Sequence, residues 1–216
     1  MLKTSLLASF VVCAGACASA PHVDPNAPIG RPTSPQSAYT DPGGAFQVDF
    51  FSSPSSIVES KTDEGVKFPA FNTTGSITGY ALGAKSDKRG QLLFSTTISF
   101  TDGKTPEGLC KTLMPGMFKK MADKLTMTPA ENAADPEIQQ HKTPGIFSMT
   151  TESPSVEGKS EVKGLLHVIC DERAAGRVVA LTLASLAGTE ADPLNRWFIC
   201  SLRLPGDVTT CPWRMR

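Results

Sequence analysis

Six cysteines carry most of the chemistry that spacing can reveal in this 216-residue chain. Cys13 and Cys17 lie in the first 18 residues, and Cys110, Cys170, Cys200 and Cys211 are spread over the remainder. No C-x-x-C occurs and no closed zinc pattern is matched, so neither redox catalysis nor metal binding has a motif. Behind an export signal, four thiols form two disulfides in one of three connectivities. The expected pairing joins Cys200 to Cys211, because ten residues containing Pro205-Gly206 let the tail fold back. Cys110 and Cys170 then close the second bridge. Histidine is scarce, with His22, His141 and His167 the only three. His167 shares a strand face with Leu165 and Ile169 and reads as a hydrogen-bonded residue near a sheet edge. The carboxylate pairs Asp63-Glu64, Asp171-Glu172 and Glu190/Asp192 fall in expected turns, where charge is solvated. G-x-S-x-G, H-E-x-x-H, P-loop and G-x-G-x-x-G motifs are all missing. The sequence therefore nominates no catalytic, cofactor-binding or metal-ligating residue, and no cofactor.

Charge excludes a further class of partner. Lys plus Arg and Asp plus Glu each total 21. A phosphate backbone requires a concentrated positive surface, and the basic spots around Lys85–Arg89, Lys119-Lys120 and Arg214–Arg216 are each small. Nucleic acid is not an expected partner.

The start of the chain resembles an export signal. Lys3 supplies the positive end, and Leu6 to Ala16 is an apolar run too short for a membrane span of roughly 20 residues. Ala16-Cys17-Ala18 fits cleavage by a general signal peptidase. Ala14-Gly15-Ala16-Cys17 resembles a lipobox, departing from it at Ala14, and so makes Cys17 a candidate for lipid attachment. Both routes stay open. Residues 1–18 are thus read as signal, and the expected location is the periplasm or the outer-membrane periphery. Residues 19–42 carry proline at 21, 25, 28, 32, 35 and 42 and lack apolar periodicity. Such a segment buries too little to offset its ordering entropy and serves as a semi-rigid tether.

Residues 43–210 read as one domain, with 211–216 as a tail. Phe46, Val48 and Phe50 alternate with polar residues as a half-buried strand following the turn at Asp41–Gly44. A polar strand from Ile57 to Thr62 is expected to turn at Asp63-Glu64-Gly65 and return over 66–72. Ile77, Tyr80 and Leu82 mark the next strand. Leu92, Phe94, Thr96, Ile98 and Phe100 share one face of a long one. Thr105 and Pro106 look like the start of a helix whose apolar stripe is Leu109, Leu113, Met117 and Met121, with a kink or break at Pro115-Gly116. After a long polar loop over 130–144, Ile146 to Met149 begin a strand. Val162–Cys170 and Arg177–Leu186 form an antiparallel hairpin whose second member has the apolar continuity of a central strand. Asp192-Pro193 opens a last helix, followed by a brief strand to Leu204. The expected class is α+β, a mostly antiparallel central sheet flanked by helices.

Three pieces of this pattern resemble the PsbP-like family, extrinsic proteins of photosystem II and small bacterial envelope proteins with an α/β/α sandwich. They are Gly43–Phe50 with Ser53-Pro54, the late hairpin before a helix, and the ending Trp197-Phe198-Ile199-Cys200-Ser201-Leu202-Arg203-Leu204. Phe51 departs from the family's usual proline, and the correspondence is weak over Lys124–Pro154. The resemblance implies adaptor or assembly work and carries over no catalytic residue. The favoured reading is a non-catalytic envelope protein that acts through a protein or small-ligand partner, and through the membrane if Cys17 is lipidated. The alternative is a secreted hydrolase built from scattered carboxylates and His167.

Overall fold

The computed structural model describes residues 36–86, 89–125, 136–153, 163–187 and 193–213. The signal region, Cys17, His22, most of the tether, Glu190, Asp192 and the basic end Arg214–Arg216 lie outside them. Eleven strands and two helices make up the described residues. The larger sheet contains β3 (Ser55–Phe68), β4 (Thr73–Ser86), β5 (Arg89–Phe100), β6 (Gln139–Gln140), β7 (Ile146–Ser153), β8 (Lys163–Asp171) and β9 (Arg177–Ala187). Their spatial order is β3-β4-β5-β9-β8-β7-β6, and every pairing is antiparallel. β1 (Ser37–Thr40), β2 (Gln47–Phe50), β10 (Arg203–Leu204) and β11 (Val208–Thr209) form a second, four-stranded sheet.

Period-2 alternation explains how two cores form on one sheet. On β8, Leu165 and Ile169 point to one side, and Leu166, Val168 and Cys170 to the other. α1 (Leu109–Lys124) covers the second side with Leu109, Met114, Phe118 and Met121. α2 (Pro193–Cys200) and the small sheet cover the first, placing Phe50 against Phe198 with ring centroids 5.0 Å apart. The fold is α+β, a large antiparallel sheet with a helix on each face. β9 is the middle strand of seven and is buried on both faces, as its apolar continuity foretold.

Several expectations need correction. Asp63-Glu64-Gly65 is no hairpin turn; β3 runs through it, with a register shift between Asp63 and Val66. Gly65, at φ +66°, absorbs the extra residue as a bulge, which only a residue without a Cβ does cheaply. The reversal comes later, in a single 3₁₀ turn at Pro69–Phe71 closed by left-handed Asn72. Ser37–Thr40, read as the end of the tether, are a strand paired with β2. β2 and a brief strand ending at Leu204 were expected, but not β11 or the assembly of β1, β2, β10 and β11 into a second sheet.

The helix differs too. α1 is one unbroken helix through Pro115, which lies on the exposed side while the buried stripe holds the sheet. Thr105 is not its N-cap; its hydroxyl instead donates to Ala174 O at 2.7 Å and accepts from Arg177 N at 3.2 Å. Gly108 precedes the helix, and Glu172 supplies the missing cap. Its Oε2 accepts from Cys110 N at 3.0 Å, where a carboxylate meets an orphan donor and the positive end of the helix dipole. Replacing Glu172 by alanine should cost about 1 kcal/mol. An unchanged urea midpoint in that variant would dismiss the capping role.

Candidate functional site

The cysteines pair as expected: Cys110 is bonded to Cys170 and Cys200 to Cys211. Cys110 sits in the first turn of α1 and Cys170 near the end of β8, so the bridge ties helix to sheet inside the core. The second bridge fastens the end of α2 to the segment just after β11, where Trp197, Cys200, Cys211 and Trp213 pack together. Both bridges are structural in position.

His167 is hydrogen-bonded and one strand in from the edge, since only β7 lies outside it in its row, yet it is fully buried. Its Nδ1 is 2.6 Å from Thr150 Oγ1, on the residue paired with it across β7. Its Nε2 is 3.4 Å from Thr210 Oγ1, next to the Cys211 staple. Burial pulls its pKa from 6.5 to about 4, against hydrogen bonds to the backbone of Thr210 and Met149 that favour the charged form. Among the described residues, no hydrogen bond brings a carboxylate to it. His141 is placed in the loop before Pro144, where Nδ1 accepts from Thr143 N at 3.0 Å. The acidic pairs do not converge. Asp63 is on exposed β3 with Lys61 at 3.0 Å, while Asp171 holds Arg173 in a two-pronged pair at 2.9 and 2.7 Å. That carboxylate raises the pKa of Arg173 further, outweighing its modest desolvation. Asp171 is therefore ion-paired and Glu172 caps a helix, so neither is the freely solvated turn charge expected.

What the structure brings together is a different set. The small sheet covers only part of the large one and leaves a cleft of about 430 Å³ between the β1–β2 turn and the face of β3, β4, β5 and β9. One wall is Tyr39 and the turn from Asp41 to Ala45, and the floor includes Ser60, Thr78, Thr97 and Arg177. Strand register explains why hydroxyls gather there. Thr78 faces Thr97 directly across β4 and β5, on the same face as Tyr80 and its partner Ser95. Thr78 Oγ1 also lies 2.9 Å from Thr62 Oγ1 on β3.

A short hydrogen-bonded chain fixes the wall to the floor. Tyr39 OH donates to Tyr80 OH at 3.3 Å, and Tyr80 OH donates to Asp41 Oδ1 at 2.6 Å. The other carboxylate oxygen accepts from Ala45 N at 3.1 Å, within a turn closed by Gly44 N donating to Asp41 O at 2.8 Å. Gly44 adopts φ +67°, which lets the chain reverse tightly enough for the carboxylate to cap its own turn. Burial drives the Tyr80 pKa far above the usual phenol value, and hydrogen bonding to Asp41 adds to the effect. Tyr80 is therefore a permanent neutral donor that orients Asp41. At the other end, no hydrogen bond or ion pair engages the Arg177 guanidinium among the described residues.

The cleft thus holds one anchored carboxylate, one unengaged guanidinium and hydroxyls between them. Strands place its donors and acceptors, and no paired nucleophile and base lines it among the described residues. Sequence reasoning missed it because Asp41 read as a turn former and Tyr80 as a strand residue, 39 positions apart. An Asp-Pro-Gly-Gly turn two residues after a tyrosine is the one local signal, and it cannot name the partner strand.

Fold and cleft together define a disulfide-stapled α+β domain with a small cleft between its two sheets, lined by both apolar and polar groups. No family model, curated protein or solved structure matches the chain.

Proposed function

We propose that this chain is a non-catalytic binding protein of the bacterial envelope, exported by the signal at residues 1–18 and acting through the cleft below Tyr39 and Asp41. The observation that carries the binding reading is the cleft itself, whose volume lies in the range typical of small-ligand sites, about 300–1,000 Å³. Its acid is locked by Tyr80 and Ala45, an arrangement suited to holding a ligand rather than moving a proton. Export is supported by the two disulfides, which persist in oxidising compartments. The PsbP-like reading belongs here as well. The antiparallel sheet with a helix on each face agrees with that family's general architecture, while the second sheet of β1, β2, β10 and β11 is an added feature. Lipid on Cys17 would hold the domain near a membrane, with the proline-rich stretch before Gln36 as spacer.

Mass spectrometry of the mature protein tests the compartment. The expected N-terminus is either diacylglyceryl-Cys17 or Ser19. Recovery of the chain with Met1 and Lys3 intact and its cysteines reduced would reject export.

A further inference from the structure

Proceeding from the cleft-binding reading, we propose that the ligand is a short zwitterionic peptide. Its terminal carboxylate is held by Arg177, its terminal ammonium by Asp41, and its backbone by the hydroxyls of Thr78 and Thr97.

Charge placement is the first reason. An acid and a base line one cleft, yet among the described residues they form no ion pair with each other. A purely anionic ligand would meet Asp41, and a purely cationic one would meet Arg177. A molecule bearing both charges satisfies both ends. The guanidinium presents a planar fork that matches a carboxylate in two-pronged fashion. Asp41 keeps lone pairs free beyond those taken by Tyr80 and Ala45, and its half-buried carboxylate is already turned into the cleft.

Length is the second reason. Tyr80, whose hydroxyl holds Asp41 Oδ1 at 2.6 Å, pairs with Ser95, and Arg177 pairs with Ser99, so Tyr80 and Arg177 lie four residues apart along β5 and two strand spacings apart across the sheet. With about 3.3 Å per residue and about 4.8 Å per strand, their α-carbons are about 16 Å apart. Two long side chains leaning inward shorten that gap to the reach of an extended peptide of about three residues. Thr78 and Thr97 lie opposite each other in the interval and offer hydroxyls to peptide N–H and C=O groups. A single amino acid is too short to touch both ends, which sets the lower limit of the ligand class.

The test titrates the mature, oxidised protein with trialanine, followed by backbone amide NMR, and compares trialanine amide, N-acetyl-trialanine and acetate. Saturable shifts centred on Tyr39–Ala45, Thr78, Thr97 and Arg177 are expected. Either blocked peptide should bind about tenfold more weakly. Arg177→Gln should abolish the preference for a free carboxylate, Arg177→Lys should restore part of it, and Asp41→Asn should abolish the preference for a free ammonium. Arg177→Gln should fold normally, because the guanidinium has no fold partner among the described residues, and unchanged amide dispersion checks this. No saturable binding, equal binding of the blocked peptides, or acetate binding as tightly as trialanine would each overturn the proposal. Mass spectrometry of the recovered peptide keeps the two levels apart. Intact peptide upholds both readings, whereas cleaved peptide upholds the ligand class and overturns the non-catalytic function.

Discussion

Replacing Cys110 and Cys170 together by alanine is expected to lower the unfolding temperature by roughly 8–16 °C. The bridge joins residues 60 apart in sequence. Closing a loop of that size restricts the unfolded chain by about 4 kcal/mol on the chain-entropy account. For a domain of this size each kcal/mol moves the midpoint by roughly 2–4 °C. Location adds to the effect, since both sulfurs are fully buried between α1 and the sheet and truncation leaves a void. The comparison is Cys200→Ala with Cys211→Ala, whose bridge spans only 11 positions and should matter less by the same logarithmic rule. Scanning calorimetry on both double variants decides the matter. A Cys110/Cys170 variant that melts with the wild type would remove the buried bridge from the account of stability.

Acid should destabilise the protein through His167 by an amount on the order of 3 kcal/mol. The direction follows from linkage. The unfolded histidine takes up a proton near its ordinary 6.5, whereas the folded one resists until about 4. Its contribution is therefore complete above pH 6.5, falls as pH drops toward about 4, and changes no further below that. Protonation sets a charge beneath Thr210, inside a core with Ile169, Leu181 and Leu183. Carboxylates titrate nearby in pH, so the informative quantity is the difference from His167→Gln, which keeps hydrogen-bonding capacity without the charge. Between pH 6.5 and 4 the variant should lose less stability than the wild type by the amount above. Parallel pH profiles from denaturant unfolding would show that His167 takes up its proton as readily in the native fold as in the unfolded chain.

These two groups also show how unevenly the fold was legible. The Cys200–Cys211 staple could be read because Pro205-Gly206 within a ten-residue span makes a return local. The face of His167 could be read because alternation with Leu165 and Ile169 obliges it. Its depth could not, because the Thr210 segment beside it arrives from 43 positions along the chain. β3 misled in the opposite way: Asp63-Glu64-Gly65 has the composition of a turn, and only pairing with β4 makes it a bulge. The second sheet escaped notice because β11 is only two residues long and the pairing of β2 with β10 joins segments about 150 positions apart.

Local alternation, turn chemistry and cysteine spacing by themselves determined the α+β class, the central hairpin of β8 and β9, and the Cys200–Cys211 bridge. Each depends on interactions within a strand, a turn or a short loop, so the order of residues contains it. Tertiary structure alone decided that Tyr39 and Asp41 reach Tyr80, that Arg177 shares their cleft, and that His167 is sealed from water. Those contacts join segments about 40 to 140 positions apart, and strand order across a sheet depends on how whole layers pack, which no stretch of sequence encodes alone.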